Sequence, residues 1–476
     1  MLSKVISPAR LITRRSHVVP DQLLVSELFF EVPLDHANRS AGNLQLFGRS
    51  VTKHERPIVP LKGPDATKAE QKPWLVYLEG GPGFGNKEPQ ESPITRMALS
   101  RGYQVLFLDY RGVGSSTPVS AATLRTVGNP SAQATYLSRF RQDSIVRDLE
   151  AVRACLTHDY PEEKKKWSIF GQSFGGFVSL TYLSFFPEGL REVFLTGGLA
   201  PVGKAPEQVY EATFRKVVER NRAYYAKFPE DVKNVRRIAR FIQQQEGGRV
   251  ALPGGGFLTV PRLLTLGLAF GSHGGLDMVH ALILKMTTDL EQFGFLDRPV
   301  LTALGQFNPF DTHIIYAILH EAIYCHQPGI ASNWAAFRVG KELESFAWLD
   351  QMPNLSPSSD NDDDPPLHFS GEMVFPLHFE TYPELIPLKD AADILASSAD
   401  WPALYDEDQL GRNEVPVYAA SFIDDMYVDY GLARETAALI RGCKVFETNM
   451  MYHNALRAQT NEVMGRLFQL RDGSID

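Results

Sequence analysis

Hydrophobic residues form short unbroken runs in the first 200 residues of the chain, with helix-like segments between them. The clearest runs cover residues 74–78 (WLVYL), 105–108 (VLFL), 167–170 (WSIF) and 193–195 (VFL). Such runs are typical of strands buried on both faces, as in a parallel sheet covered by helices. Apolar residues recur at helical spacing between the second and third runs, at Ile145, Leu149, Val152 and Leu156. The alternation predicts an α/β fold with a mostly parallel, doubly wound sheet.

The pattern changes after about residue 203 and returns near residue 415. Tyr210, Phe214 and Val217 fit an amphipathic helix, and strand-like runs become scarce in the segment that follows. Residues 415–420 (VPVYAA) and 444–447 (KVFE) read as strands. We therefore expect one core, residues 1–203 and 401–476, interrupted by a mainly helical cap at residues 204–400.

Two smaller features complete this outline. Residues 28–32 and 44–47 predict a hairpin or edge pair ahead of the parallel strands. Residues 358–366 (SSDNDDDPP) predict a solvated acidic loop within the cap, because they offer no apolar surface to bury.

Composition and charge narrow the classes of partner. The chain has 476 residues and a net charge of −8 with no long basic stripe, which argues against nucleic acid. No apolar run approaches the roughly 20 residues of a membrane span.

Cys155, Cys325 and Cys443 are widely spaced and form neither a metal pattern nor a disulfide framework. We expect a cytoplasmic protein without metal or cofactor, and the oligomeric state stays open. The basic stretch at residues 1–17 leaves a mitochondrial presequence as the alternative.

Ser173 is the candidate nucleophile. It lies in the pentapeptide at residues 171–175 (GQSFG), between a strand-like run and a helix-like stretch at 177–185. In a G-x-S-x-G elbow the serine occupies a strained turn that projects its hydroxyl above the sheet, and the glycines avoid clashes with neighbouring elements. The alternative is an ordinary turn serine.

A serine nucleophile needs a base, and the base needs an orienting acid. His453 is the only histidine after His378 and follows the last predicted strand, while Asp425 follows the strand before it. Both would lie at the carboxyl edge of the sheet, in the order serine, acid, histidine that α/β-hydrolases use. Asp424 and Asp429 remain alternatives for the acid, and His453 could instead be a surface or helix-cap residue.

Two backbone amides are candidates for stabilising an oxyanion. One is the N–H of Phe174, the residue after the nucleophile, and the other is that of Gly81 in the loop at residues 80–83 (GGPG). Glycines leave the backbone bare, so that an N–H can approach the substrate. A plain Gly-Pro turn is the alternative for this loop.

Three motifs in this order resemble the proline iminopeptidases, or prolyl aminopeptidases, of the α/β-hydrolase fold. They are residues 80–83 (GGPG), 109–116 (DYRGVGSS) and 171–176 (GQSFGG). Residues 29–36 (FFEVPLDH) look like the opening strand of the longer members. The resemblance implies a serine aminopeptidase that releases N-terminal proline, and other small residues, from peptides with a free N-terminus through an acyl-enzyme.

The resemblance also implies functions for individual residues. Ser173, Asp425 and His453 fall on the family's triad positions, and Asp425-Met426 looks like its Asp-Met pair. Two positions depart from the family: Glu79 stands where a histidine is frequent, and Phe174 where shorter members have tryptophan. Because Phe174 would act through its backbone, these departures bear on substrate preference more than on catalysis.

An aminopeptidase must also bind the free α-amine of its substrate. A buried carboxylate in the cap can do so, because it attracts the positively charged ammonium group. Residues 320–324 (HEAIY) and 369–375 (FSGEMVF) resemble family cap motifs, with Glu321 and Glu372 as the amine-binding carboxylates. Each could instead be a structural ion-pair or surface glutamate. Tyr324 or Phe375 is expected to line a slot for the proline ring.

Two other functions compete with this interpretation. An esterase or amidase on the same scaffold would use the same triad without reading an amine. A binding protein of this fold would normally have a damaged triad, and the candidate residues here are intact. Ser173 argues against the members of this fold that use an aspartate nucleophile.

Overall fold

The computed structural model of the protein describes residues 6–55, 63, 71–352, 355 and 365–473. Its central element is a sheet with the strand order β1-β2-β3-β5-β4-β6-β7-β10-β11. The strands are β1 (Arg10–Val19), β2 (Leu23–Pro33), β3 (Asn43–Lys53), β4 (Trp74–Leu78), β5 (Gln104–Leu108), β6 (Trp167–Gln172), β7 (Leu190–Thr196), β10 (Val417–Phe422) and β11 (Cys443–Thr448). A separate small hairpin pairs β8 (Val250–Ala251) with β9 (Phe257–Leu258).

The sheet is antiparallel at one side and parallel over the rest. β1, β2 and β3 pair antiparallel in sequence, and β3 pairs antiparallel with β5. From β5 to β11, all neighbouring strands run parallel. The predicted hairpin is confirmed as β2 and β3, and the α/β fold class is confirmed by the sheet. β1 is an additional strand that begins within the basic N-terminal stretch.

Successive side chains of the parallel strands enter two different cores. Val76 and Leu78 of β4 belong to one cluster of buried side chains, whereas Leu75 and Tyr77 belong to a second. The same alternation holds along β5 and β6. It follows from the two-residue period of a strand, and it explains why these strands read as continuous apolar runs.

Helices cover both faces of the sheet and fill the segment between β7 and β10. The helices ahead of β7 are α1 (Thr95–Ser100), α2 (Ala121–Val127), α3 (Pro130–Leu137), α4 (Gln142–Leu156) and α5 (Phe174–Phe185). The helices between β7 and β10 are α6 (Pro206–Lys227), α7 (Asp231–Gln244), α8 (Val260–Leu264), α9 (Gly275–Phe293), α10 (Arg298–Phe307), α11 (Ile314–Leu319), α12 (Ala335–Lys341), α13 (His378–Thr381), α14 (Lys389–Ser397) and α15 (Glu407–Gly411). The last helices are α16 (Tyr430–Leu439), α17 (Ala455–Ala458) and α18 (Thr460–Asp472).

The cap predicted at residues 204–400 lies within the segment between β7 and β10, and its division from the core stays a prediction. Of the predicted acidic loop, residues 358–364 lie outside the described residues. No helix in the described ranges combines the length and the apolar character that crossing a bilayer would take.

Arg141, at the start of α4, joins this inserted segment to the sheet. Its guanidinium donates to the backbone carbonyls of Cys325 (2.7 Å) and Pro402 (2.6 Å) and pairs with Asp143 (3.1 Å). The ring of Trp401 lies 4.6 Å from the guanidinium carbon. The Arg141 side chain is fully buried, so each of these contacts replaces hydration that the charge has lost.

Replacing Arg141 with methionine should therefore lower the free energy of unfolding by about 3–5 kcal/mol, because the substitution leaves the buried carbonyls of Cys325 and Pro402 without this donor and removes the nearer of the two cations beside Asp143. The measurement is the midpoint of urea unfolding followed by tryptophan fluorescence. Arg147→Met is the matched control, since Arg147 also contacts Asp143 (3.5 Å) but is partly exposed. Its loss should cost less than about 1 kcal/mol. Equal midpoints for the two variants would contradict the structural role of Arg141.

Candidate active site

Ser173 occupies the sharp turn between β6 and α5. Its backbone has φ 54° and ψ −123°, a conformation that is strained for a residue with a side chain. The turn is fixed by two backbone hydrogen bonds: Ser173 N–H donates to Thr196 O (3.0 Å), and Gly176 N–H donates to Ser173 O (2.7 Å). The expected elbow geometry is therefore present.

The glycines of the motif leave room for close backbone approach. A Cβ on Gly175 would lie 2.0 Å from the carbonyl oxygen of Leu78 in β4. A Cβ on Gly171 would lie 2.5 Å from the carbonyl oxygen of Gly175. Because no real side chain tolerates such distances, only glycine allows strand and helix to pack this tightly at the elbow.

Ser173, His453 and Asp425 form a continuous hydrogen-bonded relay. His453 Nε2 lies 2.8 Å from Ser173 Oγ, and His453 Nδ1 lies 2.7 Å from Asp425 Oδ2. The other carboxylate oxygen of Asp425 accepts from the backbone N–H groups of Tyr427 (2.8 Å) and Val428 (3.0 Å). Those two bonds fix the carboxylate, which in turn orients the imidazole.

The two alternative acids lie elsewhere. The Asp424 side chain is 43% exposed and faces Lys216 at 3.5 Å. Asp429 caps α16 by accepting from the N–H of Leu432 (3.0 Å). Only Asp425, which is 1% exposed, contacts His453.

Opposing effects act on the imidazole. Burial alone would lower the pKa of His453, but the charge and hydrogen bond of Asp425 outweigh it, and the nearby Glu372 carboxylate adds to them. The net result is a pKa above the usual value of 6.5 for histidine. The Tyr427 ring packs edge-on against the imidazole, with centroids 4.7 Å apart.

The predicted oxyanion loop lies directly beside the nucleophile. A Cβ on Gly80 would come within 3.1 Å of Ser173 Cβ, and Gly81 has a positive φ of 126°. Among the described residues, no acceptor takes the backbone N–H of Gly81 or of Phe174. Both amides therefore keep a donor for an oxygen of a bound substrate.

Glu79, which stands where the family frequently has histidine, fixes this loop by hydrogen bonding. One of its oxygens accepts from Gly80 N–H (2.8 Å), and the other accepts from Arg457 (2.9 Å). Glu79 is buried, and Arg457 lies in α17, four residues after His453 in sequence. The sequence analysis did not identify this pair. The only sequence signal was the unusual acidic residue ahead of the glycines.

A cavity of about 440 Å³ opens above Ser173 and His453. Its aromatic lining consists of Phe84, Phe310, Tyr316 and Tyr427, with His313 beside them. Phe84 and Phe310 each pack against Tyr316, with ring centroids 5.3 Å and 5.4 Å apart. Neither Tyr324 nor Phe375, the residues expected to line a proline slot, borders this cavity. The aromatic residues that do border it are spread over several segments with no shared motif.

Glu372 projects into the same cavity. One carboxylate oxygen accepts from the Tyr316 hydroxyl at 2.7 Å. Burial raises the pKa of Glu372 to about 7, although the neighbouring His453 and the Tyr316 hydrogen bond work in the opposite direction. In the site without substrate, any cation placed beside Glu372 would therefore stabilise the ionised form of its carboxylate.

Glu321 lies deeper in the inserted segment and does not border the cavity. Its two oxygens accept from the N–H groups of Ala335 (3.2 Å) and Ala336 (2.9 Å) at the start of α12. Burial raises its pKa to about 7 against the effect of these bonds. The structure therefore brings Glu372, but not Glu321, to the triad.

Away from the triad, one group of side chains in the described part of the chain resembles a metal-binding set. Ligand atoms of Glu230, Asp231 and His280 lie within 4.8 Å of one another. However, Asp231 already accepts hydrogen bonds from Tyr224, His280 and Asn234. These internal partners account for the cluster without an ion.

Comparison with known proteins places this site in a family. Residues 73–241 match the family described as alpha/beta hydrolase fold. The chain is 41% identical over 471 residues to proline iminopeptidase aneH of Aspergillus aculeatus, covering 99% of both chains. It is also 41% identical over 455 residues to the proline iminopeptidase of Aeromonas sobria, covering 95% of this chain and 98% of that one. The chain belongs to the proline iminopeptidase family.

Other proline iminopeptidases match a smaller part of the chain. That of Xylella fastidiosa is 28% identical over 26% of this chain and 31% of its own length. The family resemblance inferred from the motifs is thus confirmed, and the two relatives at 41% identity align along almost their whole length.

The two adjacent aspartates should differ sharply in this proline iminopeptidase relative. Asp425→Asn should lower kcat on the order of 10³–10⁴-fold, because an amide cannot stabilise the imidazolium and disturbs its tautomer. Asp424→Asn should stay within about threefold of the wild type, as expected for an exposed side chain. The measurement is kcat for prolyl-naphthylamide hydrolysis by both purified variants. The opposite ranking would assign the acid to Asp424.

Proposed function

We propose that the protein is a serine aminopeptidase that releases N-terminal proline, and other small residues, from peptides. The observation that carries this proposal is a single cavity containing both the Ser173 relay and the Glu372 carboxylate. The names of the two relatives that align over nearly the full chain support it.

In the proposed reaction Ser173 attacks the carbonyl carbon of the N-terminal residue. His453 Nε2 takes the hydroxyl proton as the Oγ–C bond forms, and Asp425 stabilises the resulting imidazolium. The imidazolium then gives its proton to the leaving nitrogen as the peptide bond breaks, leaving an acyl-enzyme. A water, deprotonated by His453, hydrolyses that ester and regenerates Ser173.

The oxyanion of each tetrahedral intermediate is assigned to the N–H groups of Phe174 and Gly81. Preorganised donors are worth more against a developing charge than against a neutral carbonyl, which lowers the barrier. The Glu79 carboxylate, bonded to Gly80 N–H, supports the orientation of this loop.

Glu372 is assigned to the substrate ammonium. A carboxylate in a partly desolvated cavity attracts a cation strongly, and an internal or acetylated peptide offers none. Glu321 remains a second candidate, acting from outside the cavity lining. The flat walls formed by Phe84, Phe310 and Tyr316 suit an apolar five-membered ring.

A cytoplasmic location is also proposed. It is supported by the wide spacing of Cys155, Cys325 and Cys443, all of which are free thiols.

The esterase or amidase alternative uses the same relay, so it is tested through the amine. Glu372→Gln should lower kcat/KM for a proline-terminated peptide by roughly 30-fold or more, since losing one partner of a desolvated charge pair costs about 2–5 kcal/mol. The same variant should largely spare a neutral ester. N-acetylation of the peptide should mimic the mutation in the wild type, and combining the two should add little.

Two controls accompany this measurement. Ser173→Ala should lose turnover of both substrates on the order of 10³-fold or more, which excludes a contaminating hydrolase. Glu321→Gln should affect selectivity less than Glu372→Gln, because Glu321 does not border the cavity. Equal wild-type rates on free and acetylated peptides would favour the esterase, and a selectivity loss only in Glu321→Gln would move the amine site there.

The pH dependence should distinguish the two substrate types. Peptide hydrolysis needs Glu372 ionised, with a pKa of about 7 in the free enzyme, and also needs His453 neutral, with a pKa above 6.5. Both requirements fail as the pH falls, so log kcat/KM should approach a slope of two on the acid side. A neutral ester needs only His453 and should give a slope of one. Glu372→Gln should reduce the peptide slope to one, whereas a wild-type peptide slope of one would contradict the assignment.

A further inference from the structure

The cavity has a second charged feature, on the side where the leaving group must lie. In the proposed reaction His453 returns its proton to the leaving nitrogen, so the departing peptide must face the imidazole. His453, Asn454, Leu456 and Arg457 all border the cavity. These four residues therefore form the wall on the leaving-group side.

Arg457 is held in place by Glu79 and Tyr77, and its guanidinium keeps further N–H donors. One guanidinium nitrogen donates to Glu79 at 2.9 Å, and Glu79 is itself fixed by Gly80 N–H. The Arg457 side chain is 48% exposed, whereas that of Glu79 is 5% exposed. A guanidinium carries five N–H donors in a planar fork, so the interactions with Glu79 and Tyr77 leave donors for another carboxylate.

We propose that Arg457 binds a carboxylate on the leaving-group side of the scissile bond. The inference rests on the proposed aminopeptidase function and adds to it a substrate class: short peptides whose C-terminal carboxylate lies near the cleaved bond. Glu372 then takes the positive end of such a peptide and Arg457 the negative end. Lys87, which also borders the cavity, is the other cation that could fill this role.

The same carboxylate chemistry has two sources in a peptide. It is the C-terminus of a dipeptide or the side chain of an acidic residue after the proline. Three substrates separate them: prolyl-alanine with a free carboxylate, prolyl-alanine amide, and prolyl-aspartate amide. In each case the measured quantity is kcat/KM for proline release.

The wild type should favour prolyl-alanine over its amide by about tenfold, which corresponds to about 1.4 kcal/mol. Arg457→Gln should reduce this ratio to near one, whatever it does to the absolute rates. Arg466→Gln is the matched control, because it removes the same charge from an exposed position on α18, and its ratio should stay at the wild-type value. Recovery of the preference with prolyl-aspartate amide would extend the site to acidic side chains, and a low rate would restrict it to the C-terminus.

Several results would overturn the assignment. A wild-type ratio of one would exclude a carboxylate site while leaving the aminopeptidase intact. An equal loss on all substrates in Arg457→Gln, with the ratio unchanged, would make the ion pair with Glu79 purely structural. Loss of the ratio in Lys87→Gln alone would transfer the site to Lys87. Failure of the wild type to release proline from any of the three would overturn the proposed function and this inference together.

Discussion

The architecture of the site depends on how closely the backbone of the elbow approaches its neighbours. Gly175 packs against the carbonyl of Leu78, so that a single added methyl group would overlap it. This contact presses the start of α5 against the end of β4 and leaves Ser173 in its strained turn. The strain is tolerated because β4, β6 and β7 pair along their lengths and over-determine the path of the chain.

The remaining groups of the site follow from strand order. β4, β6, β10 and β11 all run in the same direction, so the loops after them meet at one edge of the sheet. These loops carry Gly81, Ser173, Asp425 and His453, respectively. Residues separated by up to 280 positions in sequence, such as Ser173 and His453, thereby form a direct hydrogen bond.

The features that could be predicted from sequence are those with a strong local pattern. Continuous apolar runs predict the buried strands, and the glycines of the G-x-S-x-G motif predict the elbow. β1 was not predicted because its side chains are exposed on both faces and show no apolar alternation. The sequence suggested Tyr324 or Phe375 for a proline slot, whereas the walls of the cavity beside Ser173 come from Phe84, Phe310 and Tyr316, which only tertiary packing brings together. The Glu79–Arg457 pair joins residues 378 positions apart, a relation that no local window contains.

The attachment made by Arg141 has a bearing on how the inserted segment can evolve. Arg141 contacts this segment mainly by donating hydrogen bonds to the carbonyl oxygens of Cys325 and Pro402. Every amino acid has a backbone carbonyl. Substitutions at these two positions would therefore keep the hydrogen bonds to Arg141 as long as the backbone conformation is unchanged. The side chains at these two positions are thus free to change while the contact of the segment with Arg141 is kept by backbone geometry.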